Sequence, residues 1–597
     1  MRISEVTVEH YRGWKAPVKW RPGPRALLVG PNNGGKTSLL RAIDLCLNPF
    51  RDAYRDRLPD WEYSDCDTTK PAEVTVILND LSAADRDHFE PYLEGRRDDG
   101  SFGGWDSPED EFDNNELVLR LSFAADFGEP ARAFFARPEA QAAPVRQADK
   151  IRIGWQLVPA NLDPQHELAF YRNSVLARLF ERDDLSGPLD QIRAAIDGAK
   201  GPLLTHPSVA STRSALQGSA QRLGLAPDGD PLDFAVAGLS DRRVLQSLQL
   251  VLQGTSSGAH LPLEAHGRGV LRILLLAAIL ETARSENGNL ILAVEEPEQN
   301  LEPISQRLVT RSLLFADAAE ARQTLVSTHS SAVAGSMPLA DLHLAREFSS
   351  GRELKALRDA LPAEHKFFEL HARSALIAGL YAAAVLLVEG PTERGGLPEL
   401  WAKHRLERGL DEHRIEVIDC ESVNKMPSFV RFFRTLGIPV IALCDGDSPE
   451  AYQDLVKAKP DALLRWHTHH DWEGVLAGEA AVAELATALE ECRASLGAWD
   501  LHADDLRNCL LQEVGERDHL AGATDIPSLI SGYEEAEQRA ALAQLLRGKS
   551  GLNFKSPIYA RTLCAALTVP PPTIAAMIDR VHLVVDGDES ALGSHDL

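Results

Sequence analysis

Gly30-Pro31-Asn32-Asn33-Gly34-Gly35-Lys36-Thr37 narrows what this chain can fold into more than any other stretch. It fits G-x-x-x-x-G-K-[ST] in full. It follows the short apolar run Ala26-Leu27-Leu28-Val29, and helical spacing continues from Thr37 to Leu47. Strand, glycine-rich loop and helix are the context a phosphate-binding loop needs. Its glycines let backbone N–H groups close around phosphates at the positive end of a helix. Lys36 would reach the β- and γ-phosphates and the Thr37 hydroxyl would ligate Mg²⁺, with Gly30, Asn33, Gly34, Gly35 and Ser38 as further nucleotide contacts. ATP and Mg²⁺ are therefore expected, in an α/β fold.

Such a head needs carboxylates for the metal and for water. Leu290-Ile291-Leu292-Ala293-Val294 is an apolar strand ending in Glu295 and Glu296. Glu295 would hold the Mg²⁺ shell and Glu296 would orient or deprotonate the attacking water. His329, just past the strand Thr324–Ser327, is placed to sense the γ-phosphate. Gly267, Arg268 and Gly269 follow His266 at a helix start, and could offer donors and a cation to a nucleotide on a partner subunit. A plain glycine helix start explains these residues equally well.

Composition bounds the rest. The chain has 597 residues, with 62 Lys+Arg against 88 Asp+Glu for a net charge of −26. That length exceeds one ordinary core. No run reaches the ~18 apolar residues of a membrane span, and seven scattered cysteines without a C-x-x-C pair argue against a disulfide scaffold or structural zinc. A cytoplasmic setting is expected. The acidic balance argues against a general nucleic-acid coat but leaves room for a local basic groove.

Strands are expected at Ala72 to Leu78, Leu117 to Phe123 and Ile151 to Val158, with a surface loop from Gly95 to Asn115. Residues 161–250 read as mostly helical. A second α/β unit begins with the apolar strands Val385–Val388, Ile415–Ile418 and Val440–Cys444, whose rhythm predicts a parallel sheet. The stretch after Ala480 reads as helical, and Asp586 to Leu597 as a fraying acidic end.

The second unit carries its own chemistry. Glu389 and Glu393 follow its first strand, Asp445 and Asp447 its third, and Asp471 with Glu473 come after. Acids at the C-terminal ends of parallel strands converge on one crevice. They repel unless a divalent cation neutralises them, and hard oxygen ligands suit Mg²⁺ or Mn²⁺. Two such ions ~3.5–4 Å apart would activate water and stabilise the leaving oxygen in phosphodiester cleavage. His467-Thr468-His469-His470 invites a zinc reading, but its neighbours are acids and contact with substrate phosphate fits better. Trp466 and Trp472 suit a core better than base stacking.

In order, the head motifs resemble those of ATP-binding-cassette heads of the structural-maintenance and RecF-like ATPases. V-E-G-x-x-E followed by D-x-D resembles the Toprim domain. Together they resemble the OLD (overcoming lysogenization defect) family nucleases, including the Gabija-type nuclease. The resemblance implies a P-loop ABC-type head with a helical insertion, followed by a Toprim domain with helical additions. The divisions are 1–160 and 236–378 for the head and linker helices, 161–235 for an insertion mediating dimerization, and 379–597 for Toprim. It implies Glu389, Glu393, Asp445, Asp447, Asp471 and Glu473 as metal ligands, and Lys555 (Lys549 as substitute) as the late lysine near the scissile phosphate. Ser422-Val423-Asn424-Lys425 would take a supporting place. It implies a DNA endonuclease in phage defence or DNA processing, a homodimer or higher oligomer, and for some members a UvrD-like helicase partner. The alternatives are a nucleotide-switched sensor with a tRNA-cleaving Toprim effector, or a non-catalytic repair scaffold.

Overall fold

Strands buried on both faces need near-continuous apolar sequence, and three segments of this chain supply it. Leu27, Leu28 and Val29, the six residues Leu290–Glu295, and Val385–Val388 are all buried. The computed structural model describes the chain apart from residues 51–56, 105–115, 138–142, 172–173, 181–184, 223–240, 247, 254–259, 285–288, 316–321, 349–350, 363–365, 407–408, 447–448, 468–469, 497–524 and 548–555.

The N-terminal part is built on two sheets. An antiparallel sheet has the order β2-β1-β4-β7-β5-β6, with β8 also on β7. Its strands are β1 (Arg2–Glu9), β2 (Val18–Trp20), β4 (Ala72–Asn79), β5 (Leu93–Arg96), β6 (Phe102–Gly104), β7 (Glu116–Ala125) and β8 (Arg132–Phe135). The second sheet has the order β15-β14-β3-β13-β12-β9. It comprises β3 (Arg25–Val29), β9 (Trp155–Val158), β12 (Leu290–Glu295), β13 (Arg322–Ser327), β14 (Leu342–Phe348) and β15 (Gly351–Ala356). All its neighbours are parallel except the β14–β15 hairpin. β3 delivers the glycine-rich loop, and the helix Lys36–Leu47 packs its apolar side under both sheets. A short antiparallel pair, β10 (Val251–Gln253) and β11 (His260–Pro262), leads into the helix Arg268–Arg284.

The C-terminal part is a five-stranded sheet of order β17-β16-β18-β19-β20, parallel throughout. Its strands are β16 (Ala384–Val388), β17 (Ile415–Asp419), β18 (Val440–Cys444), β19 (Ala462–Arg465) and β20 (Gly593–Asp596). Helices Pro391–His404, Trp472–Glu479, Glu535–Leu546, Pro557–Ala566 and Pro572–Val585 share an apolar core on one side of it.

Three expectations need correction. Ile151 to Ile153 close a helix, Gln147–Ile153, which Gly154 ends at φ +79°, so the strand starts only at Trp155. The Gly95–Asn115 loop contains a hairpin, because Gly95 and Phe102–Gly104 pair in β5 and β6. The C-terminal residues do not fray: β20 pairs with β19, and Leu597 exchanges backbone bonds with Arg465 and His467. Helices Ser186–Leu204 and Pro207–Arg222 lie in the stretch read as a helical insertion, and its last residues fall outside the described ones.

Candidate active site

The glycine-rich loop is shaped by what presses on it. Gly35 has φ +96°, and a Cβ there would stand 2.6 Å from the Trp14 ring, so no other residue fits the turn. Lys36 Nζ donates to Gly30 O and Pro31 O at 2.7 and 2.8 Å. Burial lowers the Lys36 pKa to about 8, against the pull of Glu296 and Glu298. A cleft of about 390 Å³ opens over residues 32–38, with His329 and Arg352 on its far wall. Backbone donors, an ammonium and the Thr37 hydroxyl fit a magnesium–nucleotide's phosphates.

The carboxylates divide. Glu295 is 2% exposed and is held by Arg41 at 3.2 and 3.3 Å and by the Ala160 N–H. Burial pushes its pKa up while Arg41 pulls it down. Arg41 lies one helical turn after Thr37 and so on the same face of that helix. Glu296 turns the chain at φ +44° and accepts from Gln299, and its Oε1 lies 3.8 Å from His329 Nε2. Burial, then the charge of Lys36, lowers the His329 pKa. Glu298 accepts the His329 N–H at 2.8 Å, and burial raises its pKa. Arg41, Glu298 and Arg352 had no place in the motif reading. Glu298 could have been found, since it stands three residues past the strand end; Arg352 arrives from a distant hairpin. Arg268 is exposed at its helix start, and a Cβ on Gly269 would approach Asn300 O to 2.6 Å, so close packing alone explains that glycine.

The second sheet gathers acids. β16 and β18 are neighbours, and at their C-terminal ends the Asp445 N–H donates to Glu389 Oε1 at 2.8 Å. Glu393 sits in the first turn of the helix Pro391–His404, where the helix dipole favours an anion. Glu393 is nevertheless 5% exposed, and its pKa is raised well above the ordinary range by burial, then by the charges of Asp445, Glu473 and Glu389. Glu473 is itself buried. Four carboxylates, two of them buried and two half-buried, act on one another at this end of the sheet and fit a divalent cation.

Asp471 differs from the others. It caps the helix Trp472–Glu479 through the Gly474 N–H and is gripped by Arg547 at 2.8 and 2.9 Å. Arg547 also feels the charges of Glu473 and Asp445 and is thus a cation at the cluster, unforeseen because it lies 76 residues from Asp471. Gly446 is obligatory: a Cβ would stand 2.2 Å from Trp466 O. Trp466 and Trp472 are buried with ring centroids 6.1 Å apart, which makes them core. Lys425 pairs with Glu421 and covers the Phe367 ring. Asp447, His469, Lys549 and Lys555 lie outside the described residues.

Residues 25–335 match the family described as "AAA domain, putative AbiEii toxin, Type IV TA system". Residues 380–447 match the Toprim domain of overcoming-lysogenization-defect-like proteins. The chain belongs to this AAA family and carries an OLD-like Toprim domain. A curated relative, the OLD nuclease of Thermus scotoductus, is 26% identical over 442 residues, covering 71% of this chain and 78% of the relative. Two solved structures also match, each over 60% of this chain. One is the SMC head domain from Thermotoga maritima (12% identity, 99% of that chain, TM-score 0.29). The other is the Pyrococcus furiosus Smc head with an extended coiled coil bound to the C-terminal domain of ScpA (11% identity, 97% of that chain, TM-score 0.33). A P-loop ATPase head followed by a Toprim domain is the order expected from the motifs. Among the described residues, no helix is long and apolar enough to cross a membrane.

Proposed function

We propose that this chain is an ATP-binding, divalent-metal-dependent DNA endonuclease acting in phage defence or DNA processing. The observation that carries the reading is the partly buried cluster of Glu389, Glu393, Asp445 and Glu473 beside the C-terminal ends of β16 and β18. Bound Mg²⁺ or Mn²⁺ would supply an activated water and stabilise the leaving oxygen. Glu389, Glu393, Asp445 and Glu473 would hold the ions, with Asp447 completing the set and Asp471 positioning Arg547. The Arg547 guanidinium, with Lys555, would steady the charge gathering on the scissile phosphate.

In the head, Lys36, Thr37 and Glu295 would hold the magnesium–nucleotide, and Glu296 with His329 would orient water at the γ-phosphate. Two heads sandwiching ATP would make a homodimer, with Gly267, Arg268 and Gly269 reaching the partner's nucleotide. A UvrD-like helicase is a candidate companion, and the cytoplasm the expected setting.

Supercoiled plasmid and tRNA, incubated in parallel with Mg²⁺ or Mn²⁺, test the proposal. Plasmid nicking that falls by about 10²-fold or more in Glu389→Ala supports it. Cleavage of tRNA alone would redirect it to an RNA nuclease, and cleavage of neither substrate would sink it.

A further inference from the structure

We infer that His413, His582 and Asp586 form a second metal site, for an ion of the zinc class, at the opposite end of the Toprim sheet from the carboxylate cluster. One ligand atom from each of the three residues lies within 4.8 Å of the others. His413 stands two residues before β17 and so at the N-terminal end of that parallel strand. Glu389, Glu393, Asp445 and Glu473 gather at the C-terminal ends.

The ligands are held by the fold. His413 lies in a turn closed by backbone bonds from Arg414 to Asp411 O and from Ile415 to Leu410 O, and the residue is buried, 8% exposed. His582 and Asp586 are four residues apart at the end of the helix Pro572–Val585, so both project from one face. The two imidazoles meet edge to face, centroids 4.5 Å apart. Among the described residues, His582 Nδ1 is buried without a hydrogen-bond partner, while Nε2 stands 3.5 Å from Asp586 Oδ2. Asp579, one turn earlier, is already engaged by His404 and Arg405 at 2.9 and 2.8 Å.

The ligand chemistry selects the ion. Two imidazoles and a carboxylate suit Zn²⁺, whereas Mg²⁺ keeps to oxygen ligands. A four-coordinate ion held by these three ligands would take water in the fourth position. The bound ion would tie the helix Pro572–Val585 to the turn before β17, and so brace the strand next to β16.

The test uses the full chain, stripped of metal and dialysed against zinc in excess Mg²⁺, which keeps the all-oxygen cluster filled. One Zn²⁺ per chain is expected, with a higher melting temperature than in Mg²⁺ alone. His582→Gln should weaken zinc binding by about tenfold or more, and Glu393→Gln should leave it intact. Co²⁺ in place of zinc should give the visible absorption of a nitrogen-ligated site, absent in His582→Gln. If His582→Gln fails to fold, Asp586→Asn, at an exposed position, decides by the same measurements. No zinc uptake in excess Mg²⁺, or equal uptake by wild type and the folded variant, overturns the site.

Discussion

Glu393 is a carboxyl group whose charged form the fold disfavours. Burial, followed by Asp445, Glu473 and Glu389, raises its pKa well above 4.5. The folded, metal-free chain therefore holds a proton that the unfolded chain releases. The stability this group contributes is complete below 4.5 and is lost as pH rises through the folded value. Glu393→Gln should stabilise the EDTA-treated protein by about 1–3 kcal/mol near neutral pH, with the gain vanishing in acid. Melting curves across pH check this, and a gain that grows toward acid contradicts it. His343 runs the other way. Burial, with Arg358, lowers its pKa from 6.5 to about 4. Its contribution is thus complete above 6.5 and lost as pH falls through the folded value. His343→Gln should remove about 3 kcal/mol of acid sensitivity between those limits, measured by denaturant titration. Arg547→Ala should slow nicking by about 10²-fold while leaving ATP binding unchanged, since its partner Asp471 lies in the Toprim cluster.

Among the elements, β20 was the least visible in sequence. Gly593-Ser594-His595-Asp596 has neither apolar alternation nor β-branched residues. It becomes a strand because β19 presents an open edge, which Gly593 to Asp596 pair residue by residue with Ala462 to Arg465. The His467 N–H is then held by Leu597 O, steadying the segment that leads to Asp471. Deleting residues 593–597 should expose that edge, speed proteolysis after Arg465 and lower nicking, while the head still binds ATP. Unchanged proteolysis would mean that the pairing contributes nothing to order. The apolar strands β3, β12, β16 and β18 were legible because a strand buried on both faces must be apolar throughout. The hairpin β5–β6 was hidden in acidic, glycine-rich sequence that fits a loop equally well.

Across the whole molecule, one apolar core joins the head sheet to the Toprim sheet. Leu27 and Val326 of the head sheet belong to the same buried cluster as Val385, Leu387 and Val440 of the Toprim sheet. Phe368, Leu376, Leu380, Phe429 and Phe433 bridge them. Gly379 lets Phe433 close in, since a Cβ there would stand 2.6 Å from the ring. Arg346, on β14, donates to Ala382 O and Ala383 O at 2.6 and 2.7 Å, directly ahead of β16. The two parts should therefore unfold in one calorimetric transition, which a non-hydrolysable ATP analogue shifts as a unit. Phe433→Ala should cost about 3–5 kcal/mol and split the transition. Two separate wild-type transitions, with only one moved by nucleotide, would refute the coupling.

The sequence by itself determined the two α/β units, the glycine-rich loop and the order of the acids. Backbone geometry around a phosphate needs glycines at fixed offsets, and buried parallel strands need unbroken apolar runs, so both are local and readable. Tertiary structure decided which acids meet. Glu389 and Asp445 are 56 residues apart and touch only because β16 and β18 are neighbours. It also decided that Arg41 meets Glu295, that Arg547 meets Asp471, and that His413 faces His582. Such pairings arise from packing between distant elements, whose partners carry no shared spacing along the chain.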